Sequence, residues 1–318
     1  MEKKGGFGLI LTITLNPSID RRYNIKDFEK GRIFIATDIQ YTAGGNGLNV
    51  TKVINGFNEP VMITGFLGGR SGDYIKEELE VMGIKHNFIP INEESRNSIA
   101  ILSDDGSQTE VLEKGPSISG EEMLKFYELY REMIREADMV CASGDLPHGL
   151  PHETYADLII MAKEAGKKFF LDTSGEALRL GVEAKPFLVK PNKKELEDIM
   201  GCKIDSEKEL IQAGKYLAEN NIEIVIISLG ENGSMVFHDG YIYRIRVPRV
   251  KVVNPIGSGD AMIGGFVASL YRDYDFEFAL KVAAACGTAN VMEAETGKVD
   301  MNNMKRIMND IVITKSKF

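Results

Sequence analysis

Apolar positions along the chain follow two different rhythms. From about residue 134 onward, short runs that are apolar throughout alternate with longer stretches whose apolar residues recur at helical spacing. ADMVCAS, KKFFLDTSG, FLVKPN and, most clearly, IEIVIISLG are runs of the first kind, bounded by Gly, Pro, Asn and Ser. Such runs read as strands buried on both faces. HETYADLIIMAKEAG and the acidic and basic stretch from Lys193 to Asn220 read as amphipathic helices. Strands and helices in alternation predict an α/β fold, a parallel sheet with helices on both faces in three layers. The N-terminal stretch GFGLILTITL supplies one more buried strand. Two regions break this pattern, residues 21–42 and 88–114. Segments such as RIFIATDIQYT and SIAILSDDGSQTEVL alternate apolar with polar and contain no helix, and the DDG turn suits a hairpin. They predict a small β-rich lid inserted twice into the body, which then comprises residues 1–20, 43–87 and 115–318.

Composition narrows the function. The 318 residues are 43% hydrophobic and 27% charged, with a net charge of −9. That balance excludes a disordered chain, and it excludes a binder of polyanions by bulk charge. Any phosphate must be met by local amides and a few placed cations. Cys141, Cys202 and Cys286 are scattered and read as buried free thiols in a reducing compartment. Lys3 and Lys4 before the first apolar stretch superficially suggest a secretory signal, but the run is short, β-branched and ends in NPSID without a cleavage pattern. A cytoplasmic protein is expected.

The most informative segment is Asn254-Pro255-Ile256-Gly257-Ser258-Gly259-Asp260, followed by an apolar helical run from Ala261 to about Tyr271. Gly257 and Gly259 permit a tight turn and close approach of a ligand. Unpaired amides at the helix start favour phosphate or a developing negative charge. Asp260 in the same turn is placed to accept a proton from an attacking hydroxyl. A plain loop with an acidic N-cap is the competing reading of the same four residues. No G-x-x-x-x-G-K-[ST] occurs, and Met262 stands where a dinucleotide fingerprint needs its third glycine. At the other end, Asp20 follows the first strand, and AGGNGLNV brings Gly44, Gly45 and Gly47 close behind it. A strand-end carboxylate and exposed amides suit the hydroxyls of a polyol. Lys190-Pro191-Asn192 through Glu195, and Ser228-Leu229-Gly230, sit where strands end.

In order, NPSID, AGG-x-G-x-NV, G-x-x-G-x-x-x-G, SRNSIAI, EKGP, KPN-x-x-E, SLG-x-x-G and VNP-x-GSGD span Asn16 to Asp260. This ordered set resembles the PfkB (ribokinase-like) carbohydrate kinases, in particular the branch of 1-phosphofructokinase and tagatose-6-phosphate kinase. The resemblance implies a ribokinase-like body with a β lid that closes over the sugar and often clasps a second subunit. It implies transfer of the γ-phosphoryl of ATP, with Mg²⁺, to a hydroxyl of a ketohexose phosphate such as tagatose 6-phosphate or fructose 1-phosphate. Asp260 is then the general base, and Gly257, Ser258 and Gly259 complete the anion hole. Asn192 and Glu195 match the element that organises the metal and phosphates. Lys190, Asn192, Ser228, Gly230 and Gly233 fall on the nucleotide side. Asn290 either contacts the base or serves packing, and Cys286 is expected near the adenine. Asp20, Gly45, Asn49 and Arg96 fall on the sugar side.

Three residues depart from the pattern of that branch. Asn46 stands in place of a lysine, Ile35 in place of a lid arginine, and Asp145 in place of a hydroxyl. Two lost cations and one gained anion weaken a phosphate pocket, unless Arg21, Arg22 or Arg32 compensates. The alternatives are therefore a same-fold kinase of an unphosphorylated sugar or nucleoside, or a non-catalytic regulator that binds sugar or nucleotide.

Overall fold

The computed structural model describes residues 8–318. Lys3, Lys4 and the start of the first apolar stretch lie outside the described residues.

The chain opens with β1 (Ile10–Thr14), β2 (Ser18–Ile25) and β3 (Asp38–Gly44). Next come α1 (Asn46–Gly56), β4 (Val61–Gly68), α2 (Gly69–Val81) and β5 (Lys85–Ile91), then the hairpin β6 (Arg96–Ser103) and β7 (Gln108–Leu112). The second half continues through α3 (Gly120–Glu136), β8 (Met139–Ser143), α4 (Thr154–Glu164), β9 (Lys168–Asp172), α5 (Gly175–Glu183) and β10 (Leu188–Val189). It then passes through α6 (Lys193–Met200), α7 (Glu207–Glu219), β11 (Ile224–Ser228), β12 (Ser234–His238) and β13 (Tyr241–Arg246). Helices α8 (Ser258–Tyr271), α9 (Phe276–Asn290) and α10 (Met301–Asp310) precede a last strand, β14 (Val312–Lys317).

Ten strands form the main sheet in the order β14-β13-β12-β11-β10-β9-β8-β1-β4-β5. From β11 to β5 every pairing is parallel, while β12, β13 and β14 add an antiparallel edge. Successive residues of a strand serve opposite faces. Val140 and Ala142 of β8 join the core beneath α3, α4 and α7, with Phe126, Tyr130, Leu158 and Leu217. Cys141 between them joins the core beneath α1, α8, α9 and α10, with Val53, Ile263, Ala283 and Met304. This two-faced burial is why the strands read as unbroken apolar runs.

The second sheet has the order β3-β2-β6-β7, and it is the lid. β2 and β3 pair antiparallel, as do β6 and β7, and β2 pairs with β6 in parallel. Its limits differ from the expected ones. Residues 88–91 pair with β4 in the main sheet, because β5 continues to Ile91 and its Phe88, Ile89 and Ile91 are buried. The segment RIFIATD, expected as strand, is irregular up to Asp38, with Ile33 and Ile35 at 99% and 91% exposure. Its alternation has no surface to bury against.

The stretch from Lys193 to Asn220 is two helices. Gly201 ends α6 in the left-handed region at φ 66°, and a Ser206–Glu209 capping box starts α7. Cys141 and Cys286 are buried free thiols, whereas Cys202 is exposed, lying just past that glycine stop.

Candidate active site

Parallel strands deliver their C-terminal ends to one edge of the sheet, where open α/β sheets bind ligands. Here that edge carries Ser143 at the end of β8 with Asp145 beyond it, Asp172 at the end of β9, Lys190 and Asn192 after β10, and Ser228 at the end of β11. The N-terminus of α8 faces them. Helices α3, α6 and α7 each begin with a reciprocal capping box. Helix α8 begins at Gly257, at φ 80°, and no described side chain caps it. Its first amides are left for a ligand. Asp260 lies three residues into the helix and does not cap it, so the plain acidic N-cap reading is set aside.

Two cavities meet at this helix start. The larger, about 700 Å³, is lined by Lys190, Asn192, Glu195, Ser228, Gly230 and Gly233 together with the Gly257–Asp260 turn. The smaller, about 250 Å³, lies between body and lid and is lined by Asp20, Gly45, Asn49, Arg96 and Asp145, among others. Asp260 and Asn46 line both. The two groups of residues separated on sequence grounds thus occupy adjoining chambers, with the proposed base at the seam.

Asp260 is 3% exposed. Its carboxylate accepts from Asn49 Nδ2 at 3.0 Å, Asn46 Nδ2 at 3.2 Å and Ser143 Oγ at 3.4 Å. Burial, reinforced by the charge of Asp172, pushes its pKa up to about 7, against the pull of Asn49, Lys190 and Asn46. Lys190 Nζ lies 3.1 Å from Asp172 Oδ1. Burial works against the charge on Lys190, but Asp172, Asp260 and Glu195 together raise its pKa above the ordinary lysine value. A buried cation is therefore held against the glycine turn: a Cβ built on Gly259 would stand 3.1 Å from Lys190 Nζ.

Asp20 is also buried, and burial raises its pKa against hydrogen bonds donated by Ser18 at 2.7 Å and Thr296 at 3.0 Å. Gly44 must be glycine there, since a Cβ would fall 2.2 Å from the Asp20 carboxyl. Arg96 spends Nε on Asn16 O at 3.1 Å and Nη1 on Glu113 O at 3.2 Å, tying the lid to the body. Asn192 and Glu195 form the capping box of α6, each bonded to the other's backbone N–H. Glu195 keeps one oxygen outside this box, and burial raises its pKa. No group of three or more His, Cys, Asp or Glu among the described residues forms a preformed metal cage. The oxygen donors Asn192, Glu195 and Asp172 on the cavity wall nonetheless suit Mg²⁺, which keeps several waters and takes much of its shell from phosphate.

Two expected neighbours of the nucleotide sit elsewhere. Asn290 is buried behind the turn, donating to Lys298 O at 2.9 Å with Oδ1 against Gly257, so it supports the turn and does not line the cavity. Cys286 faces Gly265 in the α8–α9 contact; Ala284, Gly287, Thr288 and Val291 present the wall instead. Asp172 and Ser143 were not singled out in the sequence. Each is the last residue of an apolar strand, and that strand-end polar position was the available signal.

Comparison with known proteins accords with this geometry. Residues 13–302 match the model of the pfkB family carbohydrate kinases. A tagatose-6-phosphate kinase of Staphylococcus epidermidis is 41% identical over 308 residues, 96% of this chain and 99% of its own. Among solved structures, a possible 1-phosphofructokinase from Thermotoga maritima superposes with a TM-score of 0.90 at 25% identity, covering 97% of this chain and all of that one. The tetrameric inhibited form of phosphofructokinase-2 from Escherichia coli has a TM-score of 0.87 at 22% identity, covering 95% and 98% of the two chains.

Proposed function

This chain belongs to the pfkB family of carbohydrate kinases, and on that premise we propose that it transfers the γ-phosphoryl group of ATP to a hydroxyl of a ketohexose phosphate, tagatose 6-phosphate or fructose 1-phosphate, giving the 1,6-bisphosphate. The observation that carries the reading is Asp260 at the junction of two cavities, beside an uncapped helix start. The larger cavity takes ATP and the smaller takes the sugar.

Asp20 and Asn49 hold sugar hydroxyls and aim one of them at Asp260. Asp260 accepts its proton as the oxygen bonds to the γ-phosphorus and the bond from phosphorus to the leaving ADP oxygen breaks. A base with a pKa near neutrality is well matched to this task. Charge on the moving phosphoryl is met by the amides of Gly257, Ser258, Gly259 and Asp260 and by Lys190. These groups are fixed in advance, so they stabilise the transition state without reorganisation. Ser228, Gly230 and Gly233 line the path of the nucleotide. Magnesium, held from the side of Asn192 and Glu195, supplies neutralisation of the phosphates when bound. The lid excludes water, which would otherwise compete for the phosphoryl group.

The outer face of the lid carries Ile39, Tyr41 and Val111, each about half exposed, and the chain pairs with a second copy through it. No helix among the described residues is long and apolar enough to cross a membrane. With its free thiols the enzyme fits the reducing cytoplasm.

The test is ADP release with Mg-ATP and a panel of fructose 1-phosphate, fructose 6-phosphate, tagatose 6-phosphate, free fructose, ribose and a nucleoside. Turnover of a phosphorylated ketose is expected. Turnover of an unphosphorylated member alone would move the enzyme to the second reading, which Asp145 on the sugar cavity favours. Bound ATP with no turnover across the panel would leave a regulator.

A further inference from the structure

The sugar cavity needs a cation for the phosphate of its substrate, and several residues that could supply one are committed elsewhere. Arg96 is anchored by Nε and Nη1 on the Asn16 and Glu113 carbonyls, which leaves Nη2 to face the cavity. Asn46 is neutral and donates to Asp260. Ile35 is in the exposed loop, and Arg32 in the same loop pairs with Glu29 at 3.0 Å. Arg21 also borders the cavity with a buried, unpartnered Nε, but its guanidinium lies 5.4 Å from the centre of the Tyr41 ring. By the alternation of β2, its side chain leaves the strand on the face opposite Asp20.

Arg22 alone among these leaves its strand on the face of Asp20 with a buried, unpartnered guanidinium nitrogen. It shares the face of Ser18 and Asp20 on β2, lines the sugar cavity, and its side chain is 16% exposed. Its Nε is buried and has no hydrogen-bond partner among the described residues. Its nearest carboxylate is Asp38, 3.9 Å from Nη2 and already accepting from Asn24. A buried guanidinium nitrogen without a partner is costly unless a ligand completes it. Arg22 also stands two strand positions beyond Asp20, about 7 Å further from the base along the lid. A sugar held at Asp20 with its reacting hydroxyl at Asp260 extends its other end in that direction.

We propose that Arg22 binds the phosphate of the acceptor sugar and thereby makes the enzyme select a phosphorylated ketose. The inference rests on the ketohexose phosphate reading above and adds the residue that enforces it. Guanidinium is suited to the role, since its planar fork can meet two phosphate oxygens at once. The same cavity also carries the carboxylates Asp145, Glu110 and Glu295, which disfavour a phosphate placed away from its arginines.

Steady-state kinetics of Arg22→Gln, with Arg21→Gln as comparator, tests the assignment. The KM for tagatose 6-phosphate or fructose 1-phosphate should rise about 10- to 100-fold in Arg22→Gln, the range for loss of a hydrogen bond to a charged group. The KM for ATP should stay put, which also certifies a folded body. Inorganic phosphate should compete with the ketose in the wild type and cease to do so in Arg22→Gln. Arg21→Gln should raise the KM for the ketose less than Arg22→Gln does, and the reverse order would overturn the assignment in favour of Arg21. A wild type that turns over the phosphorylated ketose, with its KM moved less than about twofold in Arg22→Gln, overturns the Arg22 assignment alone. A wild type that accepts only free sugars overturns the underlying reading, before any variant is examined.

Discussion

With its carboxyl buried at the seam of two cavities and its pKa pushed to about 7, Asp260 must be ionised to accept a proton, so kcat/KM should climb as pH rises through about 7. A flat profile between pH 5.5 and 8.5 would assign the proton to another group. Asp260→Asn should lower kcat by about 10²–10⁴-fold with ATP affinity retained; equal losses in both would make the residue structural or a metal ligand. The same carboxyl carries a stability cost whose sign is fixed. Its folded pKa lies above the ordinary value of 3.8, so the folded state is penalised when the group is charged, above about pH 7. The penalty fades as pH falls toward 4. Asp260→Asn should therefore melt higher than the wild type at pH 8, with the gap narrowing by pH 5. Lys190 pulls in the opposite direction, since its charge lowers the Asp260 pKa. Lys190→Met should shift the acidic limb of the rate profile to higher pH. It should also destabilise the protein by about 3–5 kcal/mol, because Asp172 is left as a buried charge without its partner.

Among the elements, α8 does the most to create the site, and it can do so because two glycines let it sit deep. A Cβ on Gly264 would stand 2.8 Å from Val53 of α1, and one on Gly265 would stand 2.7 Å from Cys286 of α9. Gly264→Val should therefore push α8 off α1, lowering stability by about 1–3 kcal/mol through overpacking and reducing kcat by misplacing the amides at its start. Thermal melts and kcat, measured together, check both halves. The glycine turn and its helix were legible in the sequence because Gly257 and Gly259 precede an apolar run. The parallel strands were legible because burial on both faces leaves nothing polar inside them. The role of Asn290 was not, since an asparagine bonded to the backbone behind a turn looks the same in sequence as one in a cavity. Nor was the end of β5 at Ile91, because an edge strand of the body alternates as lid strands do. Asp172 was passed over for a similar reason: it belongs to no glycine motif, and only the neighbouring strand end at Lys190 reveals its purpose.

Across the whole molecule, the lid and the body share labour in a way the alternating segments only hinted at. The lid's inner face lines the smaller cavity, and the outer part of its opposite face presents Ile39, Tyr41 and Val111 to solvent. If two copies pair there, Ile39→Lys with Val111→Lys should halve the mass measured by sedimentation equilibrium. An unchanged mass would place self-association elsewhere or remove it. The lid's central seam has a further consequence. β2 and β6 pair in parallel, and Ser18 meets Arg96 78 positions later. During synthesis β2 and β3 therefore emerge long before the strand that completes their sheet. They remain a two-stranded ribbon, a form with little stability of its own, until β4, α2 and β5 have docked and carried β6 back beside them. In the lid β2 and β6 are mostly half-buried, whereas β1 and β8 are almost wholly buried, so amide exchange in β2 and β6 should outpace that in β1 and β8.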